Sequence, residues 1–470
     1  MKGRLLKNLS TNAIQLIVNQ VLGLGIFYVL SIDLNKNTFG EINLVLAILL
    51  AAFNILSCGI DQLVVKKIAA GEDPRSTLGL YLCHVLIAGI VFYGLLFFGH
   101  FFAAPTTMVY SLLLLIGAGK LMIFFSTPFK QAANGLERFK VMAYMLVVSN
   151  VVRCCGLVIL HFVHALTLHN IIVIFIAGDT AELLCCLLLF IFIIKVPVAI
   201  IWNPLAHMRL LREALPQTGV VLITSALARF DWIFIGILVS AAKLAEYSFA
   251  YKIFEVSTLP LLAIAPLLIP HFTRLFQQDT IPTEDLRFLA KVEMIVAAFT
   301  VLVINVCWSP VIDAITRGKY GAVNVKTIFI LSLCLPLLYL NNFFWTIYFA
   351  QGRLKMILRS FVITLTVNVA GDIVLIPFFK NEGAAVAYLA ACAVQTVYYV
   401  KQSTALELKA VWQPLFTCLS CAIVSFAVPK LLFHNNWITV VSSVALYFTL
   451  LILTKQVSRA DKKQIEALLN

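Results

Sequence analysis

Charge is the scarcest commodity in this 470-residue chain: only 12% of its residues are Asp, Glu, Lys or Arg, against roughly 25% in soluble proteins. A water-exposed surface cannot be built from so few charges, which excludes a soluble globular domain. Strictly alternating ten-residue segments are also missing, which excludes an outer-membrane barrel. No stretch between apolar runs is long enough to fold as a separate domain, so any chemistry lies within a membrane or at its faces. What fills the chain instead is hydrophobic residue, 61% of the total, with a mean hydropathy of +0.98. The fold class expected is therefore all-α integral membrane, because apolar runs of about 20 residues recur from end to end.

Several common signatures fail in detail. Eleven cysteines are present, but most sit inside apolar runs, as Cys154-Cys155 and Cys185-Cys186 do, and read as small buried hydrophobes rather than a disulfide framework. Cys418 and Cys421 have redox spacing without a redox-fold context. His161, His164 and His169 lack the companions of a metal site. Gly117-Ala-Gly119-Lys120 lacks the earlier glycine and the following Ser/Thr of a P-loop. No metal, cofactor or catalytic set is expected. The formal charge of +13 reads as basic loops on one side of a membrane, so no nucleic-acid partner is expected.

Hydrophobic periodicity places fourteen spans near 12–33, 40–62, 77–99, 108–131, 141–163, 170–194, 215–239, 247–270, 288–310, 325–350, 357–379, 383–401, 412–432 and 437–454. The first is too long for a signal-peptide core and has no small-x-small cleavage site, so it reads as an uncleaved helix. With the N-terminus inside, 24 of the 35 Lys and Arg fall in inner segments, 7 in outer loops and 4 within spans. That bias puts both termini in the cytoplasm. The longest inner link, 196–213, then separates an N-terminal lobe of spans 1–6 (1–195) from a C-terminal lobe of spans 7–12 (214–403). Spans 13 and 14 (404–456) form a final pair, followed by a tail at 457–470. Two six-helix lobes of equal orientation suit a pseudo-twofold axis along the membrane normal, with substrate between them.

Ionisable residues near the middle of a span cost about 2.5–3.5 kcal/mol each on insertion scales, so they are rare and usually face a cavity or a partner. Lys120, Arg153 and Arg229 are such residues, and together suit an anionic group: Arg offers a planar fork for phosphate, Lys a point charge. The bland alternative is that they neutralise Asp179, Glu182 and Asp231. Asp179 and Glu182 share one helix face and are a candidate ion-coupling site, since two close carboxylates cannot both ionise cheaply. The alternative is an ion pair with Arg153 or Lys120. Polar residues at helical spacing, Asn12, Gln15 and Asn19 in the first span and Thr364, Asn368 and Asp372 in the eleventh, are cavity candidates or interhelical ties.

A set of short motifs adds a family. Asn37-Thr-Phe39-Gly40-Glu41 and Gly59-Ile-Asp61-Gln-Leu-Val-Val-Lys66-Lys67 bracket the second span. Leu215-Pro216, Arg229-Phe-Asp231-Trp and Ala245-Glu-Tyr247-Ser-Phe-Ala250-Tyr251-Lys252 follow, then Gln351-Gly352 and Glu382-Gly383-Ala-Ala385-Val-Ala387-Tyr. In this order the chain resembles the Wzx-type polysaccharide flippases, also called the polysaccharide biosynthesis protein family, of the multidrug/oligosaccharidyl-lipid/polysaccharide exporter superfamily. The resemblance implies a protein of the bacterial cytoplasmic membrane that moves undecaprenyl-diphosphate-linked oligosaccharide to the outer leaflet by alternating access, for O-antigen, capsule or exopolysaccharide assembly. Membrane lipids, a polysaccharide polymerase and glycosyltransferases are its implied partners. A drug/cation antiporter of the same superfamily is the nearest rival. A membrane glycosyltransferase or polymerase would need catalytic groups in a sizeable outer loop, which the chain lacks.

Overall fold

A computed structural model describes residues 2–99, 108–261, 283–403 and 405–457. Its described residues form fourteen α-helices: α1 (Lys2–Asp33), α2 (Lys36–Leu56), α3 (Ile60–Ala69), α4 (Pro74–Gly99), α5 (Met108–Gly135), α6 (Phe139–Phe162), α7 (Leu168–Leu189), α8 (Pro204–Leu238), α9 (Ala241–Ser257), α10 (Thr283–Thr316), α11 (Val325–Ala350), α12 (Leu354–Gln402), α13 (Ala405–Leu432) and α14 (Asn436–Leu453). Twelve of the described helical segments are long and apolar enough to cross a membrane. The expected spans 11 and 12 are the two arms of α12, which breaks at Lys380 (φ 52°), and residues 262–270 of the expected eighth span, 247–270, lie outside the described residues. Large side chains such as Phe378, Leu431 and Leu205 stand about four-fifths exposed, an arrangement suited to a lipid solvent rather than water.

Helix starts follow local chemistry. Asn35, Thr167, Asn203 and Asn435 each precede a helix and accept a hydrogen bond from a first-turn amide of α2, α7, α8 and α14 respectively, which satisfies a donor that the helix itself leaves unpaired. Pro204 follows Asn203 at the first position of α8, where its missing N–H costs nothing.

The chain divides into two units, Met1–Ala245 and Glu246–Asn470. In the first, α5 packs on α2, α3, α4 and α7, α6 on α1 and α7, and α8 on α2 and α3. Its core at one end comprises Ile60, Val64, Tyr81, Phe124, Phe129 and Phe190. In the second, α11 packs on α12 and α10, and α13 on α10 and α14, around Tyr339, Phe343, Phe344, Tyr348, Tyr399 and Tyr447.

One expected span is cut short. The apolar run at 40–62 ends its helix at Leu56, and α3 restarts at Ile60 through Gly59 at φ 67°. A side chain at Gly59 would be strained by that angle and would also meet the backbone of Gln217 and Thr218 within 2.7 Å. Thr218 Oγ1 donates to the Cys58 carbonyl at 2.7 Å, which supplies a partner to backbone freed by the break.

Candidate functional site

Three helices of the first unit, α5, α6 and α7, carry Lys120, Lys130, Arg153, Asp179 and Glu182 within spans. They approach closely because glycines line their contacts. A Cβ on Gly119 would stand 2.8 Å from Asp179 Oδ2, and one on Gly178 would stand 2.8 Å from Arg153 Cγ and 3.0 Å from the Ser149 carbonyl. Small residues let membrane helices bring backbones together, and here they bring charged side chains with them.

Two buried ion pairs result. Arg153 Nη2 donates to Asp179 Oδ1, which also accepts from Ser149 Oγ at 2.9 Å. The Arg153 guanidinium lies 4.8 Å from the centre of the Phe175 ring, while among the described residues its Nε has no hydrogen-bond partner. Glu182, one turn along α7, accepts from Lys130 Nζ at 2.7 Å and from Ser126 Oγ at 3.4 Å. Asp179 and Glu182 thus each meet a cation of their own.

Lys130 corrects the loop count. It stands at the end of an apolar run and reads as an inner-loop charge, yet α5 continues through it to Gly135 and buries it against Glu182. Sequence spacing carries no sign of this, because the partner comes from a helix 52 residues away. Lys120, the expected partner, is half-buried near the middle of α5, and among the described residues no hydrogen bond or ion pair reaches it. Apart from the exposed Lys140 at the start of α6, the three helices therefore hold three cations, Lys120, Lys130 and Arg153, against two carboxylates, Asp179 and Glu182.

The remaining candidates are more dispersed. On α8, Arg229 donates to the Ala228 carbonyl at 2.8 Å and its guanidinium lies 4.4 Å from the centre of the Trp232 ring, while Asp231 Oδ1 accepts from the Trp232 amide. Gln15 on α1 is buried, and Asn19 accepts from Asn150 Nδ2 on α6 at 3.2 Å, so it ties two helices together. The side chain of Asn12 lies outside the described residues. In the second unit, Asn368 and Asp372 are buried on α12, and among the described residues the Asn368 amide nitrogen has no hydrogen-bond partner. Thr364, on the same face, donates to the Ser360 carbonyl.

Glu293 on α10 is fully buried, with Asn342 Nδ2 donating to one oxygen at 3.2 Å and, among the described residues, no hydrogen-bond partner on the other. Sequence reading passed over it. The available signal was an acid inside an expected span, the same test that picked out Asp179.

Below the first unit's charge cluster, Asp61 opens α3 outside the spanning helices. Burial lifts its carboxyl to about 6, although a hydrogen bond from Ser57 and the charge of Lys130 pull it down. Because the folded-state value is raised above the ordinary 3.8, the group's contribution to stability is complete below about pH 4 and lost as pH rises through 6. We expect the stability of the purified protein to fall between pH 4.5 and 7.5 by this group's share, roughly 1–3 kcal/mol, with a matching fall in the melting midpoint, and Asp61→Asn to flatten that slope. Parallel melting profiles for the two proteins would refute the assignment.

With the geometry in place, comparison with known proteins gives consistent results. The family profile described as "Polysaccharide biosynthesis protein" matches residues 5–276, more than half of the chain. No curated protein matches the sequence. Among solved structures, the lipid II flippase MurJ in an inward closed conformation superposes with a TM-score of 0.76 at 11% identity, covering 94% of this chain and 98% of that one. An inward-facing multidrug resistance MATE family transporter of the MOP superfamily superposes at 0.66 and 13% identity, covering 84% and 99%. A MOP superfamily transporter from Pyrococcus furiosus superposes at 0.53 and 11% identity, covering 85% and 94%. At these identities the superpositions establish a shared fold.

Proposed function

We propose, from the premise that this chain belongs to the polysaccharide biosynthesis protein family, that it moves a lipid-linked oligosaccharide, an undecaprenyl diphosphate bearing sugars, from the inner to the outer leaflet of the bacterial cytoplasmic membrane by alternating access. The observation that carries this reading is the surplus cation among α5, α6 and α7: among the described residues two carboxylates answer two of the three cations that are not fully exposed, and Lys120 is left over. An unpaired ammonium in an apolar helix is costly unless its charge is met during function. The head of a diphosphate lipid brings about two negative charges into a medium that cannot solvate them, and a fixed cation offsets that cost.

In this reading Lys120 makes the leading phosphate contact. Arg153, with Nε left over beside its bond to Asp179, and Arg229 would add forked donors as the head passes. A multidrug transporter shares the fold, but a cationic drug would be repelled by an excess of positive charge, so the same observation disfavours cation antiport. Glycosyltransferases that build the lipid-linked sugar and a polymerase that consumes it are the implied neighbours in the pathway.

The test is reconstitution. Liposomes containing the purified protein and a labelled undecaprenyl diphosphate oligosaccharide should exchange label between leaflets faster than protein-free liposomes, with no comparable acceleration for a cationic dye. Equal leaflet exchange with and without protein would overturn the proposal.

A further inference from the structure

At one end of the second unit, the turn between α11 and α12 and the last turns of α12 enclose a groove of about 660 Å³, lined by Gly352, Arg353, Lys355, Arg359, Tyr398 and Gln402. The bias of loop charges assigns this end to the cytoplasm. Three cations fall within seven residues, and among the described residues none of them is ion-paired. They also sit where a helix least welcomes them. Arg353 occupies the cap position of α12 with no side-chain hydrogen bond to the first turn, and Lys355 lies within that turn, whereas the positive end of a helix dipole favours anions. A sequence that sets two cations on an uncapped helix start, with Arg359 one turn further on, breaks two local rules at one place, which points to an anion supplied from elsewhere.

The surroundings identify its chemistry. Leu354 in the groove wall and Leu358 and Val362 beyond it stand exposed along α12, and Phe349 is exposed at the end of α11, stacked on Trp345. An apolar strip leading away from a basic groove fits a lipid, with its phosphate among the cations and its acyl chains on the strip. The polar stripe of α12, Ser360, Thr364, Asn368 and Asp372, is buried on a different face of the helix. The groove is therefore on the lipid-facing side, away from the polar residues a transported head would need.

We propose that this groove is a binding site for a resident anionic phospholipid of the inner leaflet, and that a head with two phosphates suits it best. Three cations confined to two turns repel one another. One phosphate leaves two of them unanswered, while two phosphates leave one. The site is independent of what the protein transports.

The test uses the full-length protein in neutral detergent, with lipid binding followed by native mass spectrometry and by the saturable rise in melting midpoint. Cardiolipin should bind more tightly than phosphatidylglycerol, and phosphatidylcholine should leave the midpoint unchanged. Attraction near a membrane surface weakens by about fivefold for each cation removed, so R353Q/K355Q/R359Q should lose about 100-fold in apparent affinity, and R359Q alone about fivefold. These side chains are exposed, so the lipid-free melting midpoint of the variants should match wild type. The control R138Q/K140Q/R212Q removes three exposed cations from the other unit and should change affinity less than threefold. An equal loss in the control, no loss in the groove variant, or displacement of cardiolipin by undecaprenyl diphosphate at equal affinity would each overturn the proposal.

Discussion

Changing Lys120 to methionine is expected to lower transport of the lipid-linked substrate by about 10- to 100-fold, the loss that follows when a charge-assisted contact of about 1.5–3 kcal/mol is removed. The same change should leave the folded protein as stable as wild type or make it more stable. Methionine matches the length of the lysine stem, and the residue it replaces has neither a hydrogen bond nor an ion pair among the described residues. Removing a charge that costs about 2.5–3.5 kcal/mol to place in a membrane helix relieves the folded state. Activity and stability should therefore move apart, as they do where a site is kept strained for function. Lys120→Arg retains the charge and should retain most of the transport. Leaflet exchange in liposomes, with protein amount held equal and melting measured alongside, checks both halves. Wild-type exchange in the methionine variant would remove Lys120 from the substrate path, and a lowered melting midpoint would mean that the ammonium has a structural partner.

How far the molecule can be read from its sequence depends on the range of the interaction that decides each feature. Helix positions are local: apolar length sets the spans, and Asn35, Thr167, Asn203 and Asn435 mark starts by capping amides two to three residues away. Interruptions are harder. The break at Gly59 depends on Gln217 and Thr218 packing against the glycine, a contact across 160 residues between Cys58 and Thr218. Pairing among the charges is harder still. Rarity alone singles out Lys120, Arg153, Asp179 and Glu182, but which cation meets which acid depends on the rotation of each helix. Lys120 and Lys130 lie ten residues apart on one helix, and that rotation delivers Lys130 to Glu182. The basic groove shows the same limit. Arg353, Lys355 and Arg359 read as ordinary inner charges until the fold places Tyr398 and Gln402 beside them.

The Arg153–Asp179 pair should behave in the opposite way to Lys120. Both side chains are buried, with 7% and 0% of their surface exposed, and removing one partner leaves the other charge uncompensated in a low dielectric. Asp179→Ala is expected to cost about 3–5 kcal/mol, enough to deplete the protein from the membrane, because Arg153 then loses its only ion-pair partner among the described residues. The double change R153L/D179L removes both charges together and should recover much of the abundance, since replacing a whole buried pair by apolar residues is often neutral or better. Amide variants separate two roles for Asp179. If the carboxylate serves only to neutralise Arg153, then D179N, which keeps the shape and the bond from Ser149 Oγ, should lower abundance while the molecules that do fold transport normally. If Asp179 and Glu182 together exchange a coupling ion, D179N/E182Q should leave substrate binding intact and abolish the response of leaflet exchange to an imposed proton or sodium gradient. Abundance by quantitative blot, melting in detergent and exchange with and without a gradient distinguish these outcomes. Full stability in D179A would show that Arg153 finds its counter-charge elsewhere, and an unchanged gradient response in D179N/E182Q would exclude the two carboxylates from ion coupling.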